Sequence, residues 1–111
     1  QFGVAVGSFQ ALKHRAAKVF IELELARSAL AGAGEAVDGA AADTAEKIST
    51  AKARLSDTAV LAAYEGVQMH GGVGMTAEHD IGFYLKRARG DELAFGDAAW
   101  HRDRFATLQG Y

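Results

Sequence analysis

The densest grouping of chemically useful residues is Gln68-Met69-His70-Gly71-Gly72-Val73-Gly74. Three glycines placed directly after a helix leave backbone amides open to the polar group of a ligand. The same cluster also serves as an ordinary helix C-cap, and both readings stay open on this segment alone. An imidazole can act as a general base, but nothing in the local pattern assigns His70 that role. His14, His79 and His101 are scattered and show no HExxH spacing, and there is no cysteine, so a metal site is not expected.

The elements that must position this cluster are helical. Proline is absent and alanine abundant, and no β-branched run alternates as a strand would. The expected fold is all-α, a four-helix up-and-down bundle forming one domain over residues 1–111. The first helix follows Ser8 as a candidate N-cap, with a buried stripe of Phe9, Leu12, Ala16, Val19, Phe20, Leu23, Ala26 and Leu30. Gly32, Gly34 and Gly39 among alanines predict a reversing loop over 31–42. Asp43 and Glu46 form a candidate capping box for a second helix that runs to about Met69. Its small-residue stripe, Ile48, Ala51, Leu55, Ala59, Ala62, Gly66 and Met69, predicts close packing. The acidic stretch from Glu78 to Asp80 suits the start of a third helix over about 81–89. Gly90 to Gly96 reads as a connection, and Asp97 as the N-cap of a last helix bearing Trp100, Arg104, Phe105 and Leu108.

Composition narrows the function classes. Half of the 111 residues are hydrophobic and 23% are charged, which excludes disorder. The formal net charge of -2 is spread along the chain, so neither nucleic acid nor an anionic membrane is an expected partner. No apolar run is long enough for a membrane span, and no signal-peptide pattern opens the sequence, so the expected compartment is the cytoplasm.

A more specific reading comes from motifs in combination. Phe2-Gly3 precedes Gln10 by eight residues, Lys52 lies sixteen residues before Gln68, and Gln68 is followed by the double glycine Gly71-Gly72 and then Gly74. In order and spacing, over essentially the whole chain, this resembles the C-terminal helical domain of the acyl-CoA dehydrogenases. The resemblance implies an FAD-dependent oxidoreductase that acts on an acyl-CoA thioester and passes electrons to an electron-transfer flavoprotein or similar acceptor. It also implies a homo- or hetero-oligomer, commonly a tetramer, that shares FAD across a subunit interface. An N-terminal helical domain and a middle β-domain belong to that family and are not contained in these residues. Phe2, Gln10, Gln68, Met69, His70, Gly71 and Gly72 carry over as cofactor-binding positions. Side-chain and helix-end amides suit the polar atoms of a dinucleotide, and Phe2 offers an aromatic face.

The family's catalytic glutamate, followed by glycine, stands twenty-seven residues beyond the turn's glutamine, which here is Phe95-Gly96. Phenylalanine cannot abstract a proton. Asp91, Glu92 or Asp97 would serve only after a slip in register, which Gly96 argues against. Three explanations are open: a base elsewhere in the polypeptide, a non-catalytic subunit whose partner carries the base, or loss of dehydrogenation. Asp97-Ala98-Ala99 replaces a run that touches FAD in the family, and Lys86-Arg87 replaces an arginine-aspartate pair. A stand-alone helical interaction module is the distant rival.

Overall fold

One helix touches all the others. In the structure, a computed structural model describing residues 1–111, α2 (Thr44–His70) packs against α1 (Gln10–Asp38), α3 (Ile81–Leu93) and α4 (Ala98–Leu108), which pack chiefly on α2 rather than on one another. Short 3₁₀ turns at Val6–Ser8 and Gly71–Met75 precede α1 and follow α2. The all-α expectation holds. The single small-residue stripe does not, because α2 is packed on more than one side. Ala51 and Leu55 face α1, Ser49 and Ala53 face α4, and Ala63 faces α3.

The helix boundaries differ from the sequence pattern in instructive ways. The predicted loop over 31–42 is largely helix, since α1 continues to Asp38. Ala33 and Ala36 are buried there, so packing outweighs the weak helix propensity of Gly32 and Gly34. The reversal is confined to 39–43, where the Thr44 hydroxyl donates to the carbonyls of Ala36 and Ala41 at 3.0 and 2.6 Å. Ser8 is not the cap of α1. Its hydroxyl donates to the Ala5 carbonyl at 2.7 Å, and Phe9 holds the cap position without a side-chain bond. Asp43 likewise makes no capping bond and pairs instead with Lys47 at 3.0 Å. Asp80 sits at the N-cap of α3, yet His79 accepts the Ile81 N–H through Nδ1 at 3.1 Å. α3 runs through Gly90 to Leu93, which shortens the connection to 94–97. Asp97 caps α4, accepting the Trp100 N–H at 2.8 Å.

The core is small in both number and volume. Fourteen residues are buried, and none is Leu, Ile, Phe or Met. The predicted apolar stripe of α1 is buried only at Ala26, while Phe20 is 63% exposed and Leu30 54%. The reason is geometric: α1 packs on α2 alone among the long helices. A radius of gyration of 17.1 Å exceeds the roughly 13 Å of a compact domain this size. These helices form a layer with open apolar faces. Two ion pairs join α1 to α2, Arg15 with Glu65 at 2.7 Å and Arg54 with Glu22 at 2.8 Å, each contributing about 1 kcal/mol at most.

A β-carbon added to Gly34 meets nothing within 4 Å. Gly34→Ala should therefore stabilise the helix by about 0.5–1 kcal/mol, read as a higher Tm. A lowered Tm would mean that the segment is a loop after all.

Candidate functional site

The candidate residues fall in two places. Antiparallel packing brings the start of α1 and the end of α2 to the same end of the molecule, as the Arg15–Glu65 pair shows. Gln10 and the Gln68–Gly72 turn therefore share that end. Phe95 belongs elsewhere: the Gly96 carbonyl meets Lys52, sixteen residues before Gln68, or about 24 Å back along the axis of α2.

At the first place the cofactor candidates are accessible. Gln10, Gln68 and His70 are exposed, Met69 is half-buried, and Phe2 is 85% exposed with its ring edge-on to Phe9 at 6.1 Å. Met69 also lines an apolar hollow of about 290 Å³ with Val19, Phe20 and Leu23. Gly71 has φ +64° and donates to the Gln68 carbonyl, which ends the helix in a conformation that glycine favours. Gly71 and Gly72 have open space where a side chain would stand, so a ligand can reach the backbone. Gly74 is different, being buried, with a β-carbon there falling 2.7 Å from the Val67 carbonyl oxygen. The motif thus divides into two open glycines and one packed one.

Histidine pairing was invisible in the sequence. His70 and His79 lie with ring centroids 4.1 Å apart, and His70 Nδ1 is 2.6 Å from the Gly66 carbonyl, to which it must donate. Both rings spend Nδ1 on their local backbone, and the contact between the rings links the end of α2 to the start of α3.

The N-terminus of α1 faces the same end without a capping side chain and without an acidic residue in its first turn. Lys13 and His14 stand there instead, against the preference of the helix dipole for negative charge. Such an end is complementary to an anion.

The second place is a pinned loop. Phe95 has φ +60°, Gly96 has φ +92°, and the phenylalanine is 94% exposed. Lys52 Nζ shares its three protons among four acceptors, the carbonyls of Asp91, Glu92 and Gly96 at 3.3, 3.2 and 3.0 Å and the Ser56 hydroxyl at 2.8 Å. Its charge thus sits at the negative end of the α3 dipole. His101, 5% exposed, reaches the Phe95 carbonyl through Nε2 at 3.0 Å. Gly96 is required twice, by its φ and because a β-carbon would fall 2.7 Å from the Trp100 ring. None of the nearby carboxylates is idle. Asp91 pairs with Arg87 at 2.9 Å, Glu92 with Arg89 at 2.7 Å, and Asp97 caps α4. Lys86 sits over the Phe83 ring, 5.7 Å from its centroid.

Of the pinning residues, Lys52 was visible only as a spacing and His101 only as a scattered histidine. Their acceptors are backbone carbonyls, which have no sequence signature.

Fold and site together define a helical domain with an anion-friendly end, a strained loop and apolar faces left open. The family model described as "Acyl-CoA dehydrogenase, C-terminal domain" matches residues 1–108, and the chain belongs to the acyl-CoA dehydrogenase family. It is 43% identical over 90 residues to the acyl-CoA dehydrogenase IpdE2 of Mycobacterium tuberculosis, covering 81% of this chain and 26% of that protein. A solved structure of an electron transferring flavoprotein of Acidaminococcus fermentans is similar with a TM-score of 0.92 and 25% identity, over 99% of this chain and 29% of that one. The Tcur3481-Tcur3483 steroid ACAD, solved as a variant, is similar with a TM-score of 0.91 and 28% identity, over 98% of this chain and 30% of that one. The chain spans about a quarter of the length of the curated relative.

The packed and open glycines should separate under substitution. Gly74→Ala should destabilise by about 1–3 kcal/mol through overpacking, while Gly72→Ala should stay within about 0.5 kcal/mol. Denaturant titration of both variants checks this, and equal losses would contradict the division.

Proposed function

We propose that this chain is the C-terminal helical part of an FAD-dependent acyl-CoA dehydrogenase, supplying dinucleotide contacts and assembly surface, with proton abstraction performed by a carboxylate outside residues 1–111. The observation that carries the cofactor reading is the shared end of α1 and α2. An uncapped helix N-terminus with Lys13 and His14 lies at the same end as the open glycine turn, which suits the anionic and polar atoms of a dinucleotide. Gln10 and Gln68 would donate and accept through their side-chain amides, Phe2 would offer its ring, and Met69, His70, Gly71 and Gly72 would form the wall of the turn. When bound, the flavin supplies the acceptor for hydride leaving the β-carbon of the acyl thioester.

Phe95 has no group that accepts a proton. Asp91, Glu92 and Asp97 are each held by a local partner, so recruiting one would break an ion pair or a helix cap. This supports placing the base elsewhere. The open apolar faces of α1, with Phe20, Ile21 and Leu30 more than half exposed, suit burial against further domains or subunits. The placement of Phe95 beside Lys52, several turns of α2 back from the glycine turn, favours their serving different parts of one extended ligand, or ligands of different subunits. An electron-transfer flavoprotein or similar protein is the proposed acceptor, by family analogy.

A second reading is favoured by the same occupied carboxylates: a non-catalytic, cofactor-sharing subunit of a heterotetramer. The joined designation of the Tcur3481-Tcur3483 steroid ACAD is in keeping with it.

Anaerobic mixing of the complete protein with a panel of acyl-CoA esters should bleach its flavin, either alone or only when co-expressed with the product of a neighbouring gene. Bleaching alone supports the first reading and bleaching only with the neighbour supports the second. Absence of bleaching in both preparations would contradict dehydrogenation.

A further inference from the structure

Phe95 is held in a conformation that it does not favour and from which its side chain gains nothing within this chain. A left-handed φ is unfavourable for a bulky residue, and such strain persists only where the surroundings over-determine it. The ring is 94% exposed, so its own packing does not provide that determination. What is held is the backbone that follows its Cα. The Phe95 carbonyl is taken by His101 and the Gly96 carbonyl by Lys52, from α4 and α2 respectively.

Both holding groups are themselves fixed. Lys52 has three carbonyls and the Ser56 hydroxyl around its ammonium, which leaves little freedom for the side chain. His101 lies between Phe95 and Ser49, whose hydroxyl is 3.4 Å from Nδ1. Ser49 is fully buried and in turn accepts from Arg104 at 2.7 Å, while Arg104 also donates to the Ala45 carbonyl at 3.1 Å. A carbonyl can only accept, so Nε2 must carry the proton that faces Phe95. Since its oxygen accepts from Arg104, the Ser49 hydroxyl is free to direct its own proton towards Nδ1. The polar chain from Arg104 through Ser49 to His101 therefore favours the ring tautomer that the Phe95 carbonyl requires.

We infer that Lys52 and His101 are positioning residues that impose the left-handed turn at Phe95 and Gly96, fixing the outward direction of the Cα–Cβ bond of residue 95 whatever its side chain is. The functional meaning of this clamp rests on the dehydrogenase reading, in which residue 95 faces the acyl portion of the substrate and the clamp offers it an aromatic ring in place of a carboxylate. The clamp itself is a property of the backbone and its two donors.

The test is a set of thermal melts on the complete protein, without flavin ligand or acyl-CoA. Phe95→Gly removes the strain of a positive φ, so it should raise Tm by a few degrees where the turn is enforced. It should do the same with His101→Gln, whose amide nitrogen can replace Nε2 as donor. In the Lys52→Met and His101→Met backgrounds the turn can relax, and the gain from Phe95→Gly should disappear. Merely structural roles would lower Tm in those backgrounds and leave the gain intact, so equal gains in all backgrounds, or no gain in the unsubstituted protein, overturn the inference. Should the methionine variants fail to fold, nitrogen-15 NMR of the unsubstituted protein decides: a proton on His101 Nε2 supports the clamp, and an unprotonated Nε2 overturns it. Neither readout involves bleaching, so failure of the dehydrogenase reading and failure of the clamp are separately visible.

Discussion

Close approach to α2 is the constraint from which the rest of the structure follows. Three helices converge on this one, and they can do so only because it carries Ser49, Ala51, Ala53, Ser56, Thr58 and Ala63 where larger side chains would hold them off. Even Gly66 is used, since a β-carbon there would fall 2.8 Å from Ile81 at the start of α3. The consequence is a core of small volume that leaves the large apolar residues on the outside. A chain so arranged gains little from its own interior and leaves many of its large apolar residues open.

The same helix joins the two ends of the proposed site. Its C-terminus runs into the glycine turn, and its Lys52 holds the carbonyls at the end of α3 and in the Phe95 loop. Rigidity along α2 thus fixes the separation between the anion-friendly end and the aromatic residue. Loops at active sites are commonly strained, and this strain is maintained from two neighbouring helices rather than from within the loop.

Much of this was legible in the sequence where the determinants are local. The Asp97 cap reaches a backbone N–H three residues on, and the glycine turn interrupts a helix by its own backbone requirements. The continuation of α1 through Gly32 and Gly34 was not legible, because burial of Ala33 and Ala36 against a distant segment overrides local propensity. The buried stripe of α1 failed for a related reason: periodicity identifies an apolar face but not whether anything in the chain covers it. Lys52 and His101 were beyond reach as a clamp, since their partners lie 44 and 6 residues away and are carbonyls that any residue carries. Phe95 at the family's base position was legible only through resemblance. That its three acidic neighbours are all engaged is a matter of geometry.

The open apolar faces of α1 suit burial against further protein, as proposed above. Hydrogen exchange of residues 1–111 alone and within the complete protein tests this most directly. Amides of α1 between Phe20 and Val37 should exchange on the order of a hundredfold more slowly in the complete protein, as burial raises the free energy of local opening. Equal protection in the two would contradict the claim and make this chain a self-sufficient domain.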